Sequence, residues 1–148
     1  MNRREFVKTG CLACLASGIV PVALSGCTTT RYVSGTIEEN GISVLKSDFI
    51  LQKKNQSVAR QFIVVQNEKL AFPIYLFRIS EEEYSALWMQ CSHQGNELQA
   101  LGDQLHCPAH GSEFDSKGNV LQGPAAHNLR SFPVIAKGDN IFIDLRAA

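Results

Sequence analysis

The sequence predicts an all-β domain, a small antiparallel sandwich or barrel. Three observations carry that expectation. From Thr28 onward no long stretch repeats its apolar residues at a helical period. Short runs rich in β-branched and aromatic residues recur instead, separated by turn residues. A chain of 148 residues also leaves room for one core and little more.

"RYVSGTI" opens the series, and "ENG", Glu39 to Gly41, turns it into "ISVL". "RQFIVVQ" follows, with "NEK", Asn67 to Lys69, leading into "LAFPIYLFRI". Pro73 inside that run argues for an edge or broken strand, because proline cannot donate to a ladder. In "SEEEYSAL", Ser80 and Glu83 have the spacing of a capped helical turn, and Glu81 to Glu83 read as solvated. "YSALWMQ" runs straight into Cys91, and "DQLH" into Cys107. "LRSFPVI" and "IFIDL" close the chain around Gly138 and Asp139, which suit a hairpin turn.

Net charge is zero and 19% of residues are charged, so nothing argues for a nucleic-acid partner or an acidic tail. The distribution is more informative. Arg3, Arg4 and Lys8 form a positive head before the uncharged run Thr9 to Gly26, the layout of an export signal. "NRREFVK" resembles the twin-arginine export signal through Arg3, Arg4, Phe6 and Lys8. "LSGC", Leu24 to Cys27, resembles the lipobox of bacterial lipoproteins, whose cysteine takes a diacylglycerol and becomes the first residue after cleavage. The alternative keeps the 18 uncharged residues as a spanning anchor, just long enough to cross. Gly10, Gly18, Pro21 and the well-placed "LSGC" favour cleavage. Cys11 and Cys14 spell C-x-x-C, but inside a signal they read as small apolar residues. Residues 1–26 are therefore expected to be a signal peptide, 27–35 a tether and 36–148 the functional domain. Loss of Arg3, Arg4, Lys8 and Glu5 with the signal leaves a net charge near −2. The body is expected in the cell envelope, held to a membrane through Cys27.

Of five cysteines, only Cys91 and Cys107 belong to the body, and each has a histidine at tight spacing. Cys91-Ser92-His93 is a C-x-H, and Cys107-Pro108-Ala109-His110 a C-x-x-H. Gly95 and Gly111 follow, where a loop around a metal must turn its N–H groups inward. Two thiolates and two imidazoles suit tetrahedral zinc, although a C-x-H bite is tight for it. They equally suit a [2Fe–2S] cluster with two cysteines on one iron and two histidines on the other.

The stretches "CSHQGNEL", "CPAHGSEFD", "KGNVLQGPA" and "LRSFPV" together resemble the Rieske iron–sulfur family over residues 84–145. The resemblance implies a Rieske-type β fold with a cluster-binding part at about 84–127 and a [2Fe–2S] cofactor. It implies Cys91 and Cys107 on the buried iron, His93 and His110 on the exposed one, and Gly123-Pro124-Ala125 as a third loop over the cluster. It makes Ser112 a donor to a bridging sulfide, a contact that stabilises the reduced state. Phe114 stands where high-potential members have tyrosine. Quinol-oxidising members also brace the two loops with a disulfide, and here the matching places are Gly95 or Asn96 and Ala109, so no brace exists. Rieske potentials run from about −150 to +300 mV, and these departures imply a value below the quinol-oxidising members. Neutral imidazole ligands carrying a second N–H further imply a pH-dependent potential.

The expected function is single-electron transfer by an envelope protein that is no enzyme on its own and serves redox donor and acceptor proteins. Alternatives are a small subunit of an oxidase or of a quinol–cytochrome complex, a ferredoxin serving an oxygenase, and a zinc-stabilised lipoprotein without redox chemistry. Trp88 and Met89 read as core or partial cover for the cluster, and His106 as a plain strand histidine. His127 reads mainly as an exposed residue after the glycine-proline loop, where partner docking or proton exchange is a lesser alternative.

Overall fold

The computed structural model describes residues 29–53 and 56–146. Arg3, Arg4, Phe6, Lys8 and Cys27 lie outside the described residues. In chain order the strands are β1 (Tyr32–Ser34), β2 (Thr36–Ile37), β3 (Gly41–Leu45), β4 (Ile50–Lys53), β5 (Gln56–Ala59), β6 (Phe62–Gln66), β7 (Ile74–Arg78) and β8 (Tyr84–Trp88). They continue as β9 (Gln99–Leu101), β10 (Gln104–His106), β11 (Glu113–Asp115), β12 (Val120–Gln122), β13 (Ser131–Phe132), β14 (Val134–Lys137) and β15 (Asn140–Asp144). A single 3-10 turn, Lys46–Phe49, interrupts them. The fold is all-β, as expected.

A central sheet, ordered β1-β6-β7-β8-β13, organises the molecule. The sheet β14-β15-β3-β2 covers one of its faces, and the sheet β12-β11-β10-β9 leans on the other. Side-chain alternation along each strand sorts the two cores. Ile63, Val65, Ile74, Leu76 and Ala86 join Ile42, Val44, Ile141 and Ile143 on the first face. Phe62, Val64, Tyr75 and Leu87 join Met89, Leu98, Leu105 and Phe114 on the second. Burial on both faces explains why "FIVV" and "IYLF" are continuous apolar runs without polar alternation. Each fully buried residue of this kind contributes about 1.5–3 kcal/mol.

Pro73 breaks its run, one of the two expected outcomes: β7 begins after it as a central strand, so the missing N–H falls outside the ladder while the Pro73 carbonyl accepts from Met89 N at 3.0 Å. Other expectations change. Ser80 caps no helix: its Oγ accepts from Glu82 N and Glu83 N, and Glu83 O takes the N–H groups of Ile79 and Ser80, making a tight strand connection. "LRSFPVI" divides at Pro133 between two sheets. Residues 32–34, placed in the tether, form β1, which pairs in parallel with β6 because Tyr32 to Ser34 register on Val64 to Gln66. The β4–β5 hairpin was not anticipated; its β5 face is exposed and lacks apolar alternation.

Candidate metal centre

The two Cys-His blocks occupy loops of one construction. The first loop, residues 91–96, is closed by the antiparallel bridge Gln90↔Glu97. The second, residues 107–112, is closed by the pair His106↔Glu113 of β10 and β11. In the first, Gly95 N donates to Cys91 O at 2.8 Å, and Cys91 N donates to Asn96 O at 2.8 Å. In the second, Gly111 N donates to Cys107 O at 2.9 Å, and Cys107 N donates to Ser112 O at 2.8 Å. Gly95 and Gly111 sit at φ +76° and +79°, the left-handed region that a glycine enters without strain. This equivalence matches Asn96 with Ser112 and Ala109 with His93.

Burial grades the four candidate donors. Cys91 and Cys107 are free thiols, 2% and 1% exposed, inside the second core. His93 is half-buried and His110 exposed. Their rings stand perpendicular with centroids 5.0 Å apart. Nδ1 of His93 is buried without any hydrogen-bond partner. A buried polar atom left so costs about 1–3 kcal/mol, and metal ligation would satisfy it.

A third loop, residues 123–130 between β12 and β13, is clamped to both others. Gln122 Nε2 donates to Gly111 O at 3.2 Å. Ala125 N donates to Ser112 Oγ at 3.0 Å, with Ser112 wholly buried. Ser92 Oγ donates to His127 O at 2.5 Å. Pro124 is exposed on this loop and His127 beside it, and Phe114 is fully buried. Asp115 supports the loop from behind: its carboxylate accepts from Lys117 N, Asn119 N and Asn119 Nδ2, each at 2.8 Å. Asn119 in turn accepts from Asn128, whose own carbonyl takes Val120 N. Desolvation pushes the Asp115 carboxyl up, but the donors of Asn119, Lys117 and Gly118 outweigh it and hold it below its ordinary value.

The remaining candidates separate from the site. Met89 packs with Cys91 and Cys107, whereas Trp88 faces the other core between Phe72 and Phe132. His106 pairs across the strands with Glu113, Nδ1 to Oε1 3.7 Å. Sequence reasoning missed Ser92, Gln122 and the Asp115–Asn119–Asn128 chain. The "DSKGN" turn signature marks Asp115; nothing local marks Ser92, whose partner is 35 positions away.

Residues 43–133 match the family model of the Rieske [2Fe-2S] domain. This chain belongs to the Rieske family. Over 75 residues the Rieske chain is 32% identical to the cytochrome b6-f complex iron-sulfur subunit of Synechococcus sp. (strain CC9605), covering 48% of this chain and 42% of that one. Over 97 residues it is 30% identical to the mitochondrial cytochrome b-c1 complex subunit Rieske of Gallus gallus, covering 63% and 36%. It thus spans under half the length of these curated relatives. Its fold is similar to the plasma membrane Rieske protein PetC3 of Synechocystis PCC 6803, with TM-score 0.50 and 26% identity over 57% of this chain and 86% of that one. The cofactor of this Rieske domain is a [2Fe–2S] cluster, and the donor set fits it. Among the described residues no three His, Cys, Asp or Glu side chains gather as one metal ion would require, whereas each iron of the cluster takes two protein ligands.

Proposed function

We propose that this chain carries single electrons at the outer face of a bacterial membrane, with Cys91 and Cys107 holding the buried iron and His93 and His110 the exposed one. The observation that carries the assignment is the orphaned Nδ1 of His93, set beside His110 on loops that also present two buried free thiols. The cluster supplies a one-electron couple whose potential is raised by neutral imidazole ligands in place of thiolates. The chain does the rest. Leu98, Leu105, Phe114 and Met89 exclude water around the thiols. Ser112 accepts from Ala125 and so has its own hydroxyl proton free to donate to the cluster. Exposed His110 offers a route to a partner.

Cys27 as lipid anchor and Arg3, Arg4, Phe6 and Lys8 as export signal complete the reading, since twin-arginine export carries proteins already folded around a cofactor. The chain has no catalytic residue of its own in this reading. The missing brace between Gly95 or Asn96 and Ala109, and Phe114 in place of tyrosine, support a potential below quinol-oxidising members. The test is the EPR spectrum of reduced protein matured in its own host. A Rieske signal that His110→Ala abolishes, His93→Cys alters and His106→Ala leaves intact is expected. A colourless protein with one zinc would overturn the assignment. The b6-f and b-c1 relatives favour one second reading, a subunit of a quinol–cytochrome complex, which a co-purifying cytochrome partner would establish.

A further inference from the structure

The central sheet separates the chain's entry from the metal loops. β1 runs parallel to β6, from Tyr32 beside Val64 to Ser34 beside Gln66. Before it, Thr29 O accepts from Arg60 Nη1 at 2.7 Å and Arg31 O accepts from Val64 N at 2.8 Å. Arg60 N in turn donates to Phe49 O, and Phe49 packs on Tyr84. The chain therefore enters at the end of the sheet where β7 finishes and β8 begins. The loops lie at the other end. β8 leads outward through Trp88 to Cys91, the β9–β10 turn folds back so that Gly102 O accepts from Tyr75, and β10 and β12 run outward again into the second and third loops. From Tyr84 to Cys91 are seven strand-like steps, on the order of 20 Å at about 3.3 Å each. From Cys27 to Thr29 are two, at most about 7 Å.

We propose that a lipid on Cys27 anchors the molecule by the pole opposite its metal loops, so that the loops face the aqueous phase and serve a water-soluble redox protein, not quinol dissolved in the membrane. The proposal rests on the lipoprotein and cluster readings above. The loops have the surface such a partner needs. Across the three loops, residues 91–96, 107–112 and 123–130, the one charged side chain is Arg130, whose guanidinium lies over the Phe132 ring 4.8 Å from its centroid. Pro108, Ala109, Leu121, Pro124 and Ala126 are exposed around His110. A contact with so little charge releases little bound counter-ion and asks for a similarly apolar patch on the partner.

The test uses the lipidated protein from its own host in vesicles carrying a nickel chelate on their headgroups. Nitroxide labels are placed in turn at Ala126→Cys, beside the loops, and at Glu81→Cys, on the entry pole, where the glutamate side chain is 90% exposed. Lipid-bound nickel is expected to relax the label at position 81 severalfold more than that at 126, with the order reversed for a water-soluble nickel chelate. Stronger relaxation at 126 by the lipid-bound nickel would overturn the orientation and favour a membrane donor. Inserting twenty Gly and Ser residues after Cys27, with a reach of about 25 Å, is expected to bring the label at 126 within range. No change would overturn the role of the short tether. The mass of the N-terminal peptide reports the lipid and the reduced EPR signal reports the cluster. Failure of either premise overturns the proposal in a way distinct from a reversed label order.

Discussion

Replacing Ser112 by alanine removes a side-chain hydroxyl from a completely buried position. Its Oγ is the acceptor for Ala125 N at 3.0 Å, and Ala125 is itself only 6% exposed. The substitution leaves a buried amide without a partner, which costs about 1–3 kcal/mol. It removes little apolar contact, so a cavity adds almost nothing. With a urea m-value of about 2 kcal/mol/M, the midpoint should fall by roughly 0.5–1.5 M with the slope unchanged. Hydrogen exchange should quicken at Ala125 before it quickens in the β6–β8 core, because one clamp on the third loop is lost while the sheet is intact. The redox midpoint should fall as well, since the hydroxyl that would stabilise the reduced cluster is gone. Ser92→Ala provides the comparison. It breaks a clamp at a partly exposed side chain, so its cost should stay nearer 0.5–1.5 kcal/mol. If Ser112→Ala keeps both the urea midpoint and the Ala125 protection of the parent, the hydroxyl does not hold the third loop and the reasoning fails.

Gly118 sits at φ +86°, and a Cβ there would lie 2.9 Å from Leu87 Cδ2 and 3.3 Å from Leu129 Cβ. Gly118→Ala should cost about 2–4 kcal/mol from left-handed strain and overpacking together, read as a lowered Tm. At Gly111 a Cβ meets nothing within 4 Å, so Gly111→Ala should cost only the backbone term of about 1–2 kcal/mol. Asp115 has a folded pKa below its unfolded value near 3.9. Its contribution is present above that value and lost as pH falls through the folded one. The stability gap between parent and Asp115→Asn, read from urea midpoints, should therefore be widest near neutral pH and close in acid. Phe114→Tyr should raise the redox midpoint by restoring a hydroxyl donor; an unchanged potential would remove Phe114 from the account of the proposed low potential.

Much of the candidate metal site is legible in the letters because its logic is local. A six-residue loop closed by a strand pair keeps its cysteine, histidine and glycine within a few positions, so spacing picks out Cys91, His93, Cys107 and His110 as candidate donors. The alternation that normally betrays a strand is absent from "FIVV" and "IYLF" because both faces are buried; turn signals located those strands instead. Pro73 marked a break in its run correctly, but not that the remaining strand is central, because a proline just before the ladder's first residue costs the ladder nothing.

What the sequence by itself determined, then, is the class of fold and the resemblance of its donor set to one kind of cluster. These rest on residue chemistry and short-range spacing. Only the tertiary structure decided the rest. It matched Asn96 to Ser112 through hydrogen bonds, hung the third loop on Ser92, Ser112 and Gln122, and brought β1 parallel to β6 so that the chain enters far from its metal loops. Those contacts join residues 5 to 35 positions apart. No composition or period encodes them, because they exist only once the central sheet has paired and brought its two ends into place.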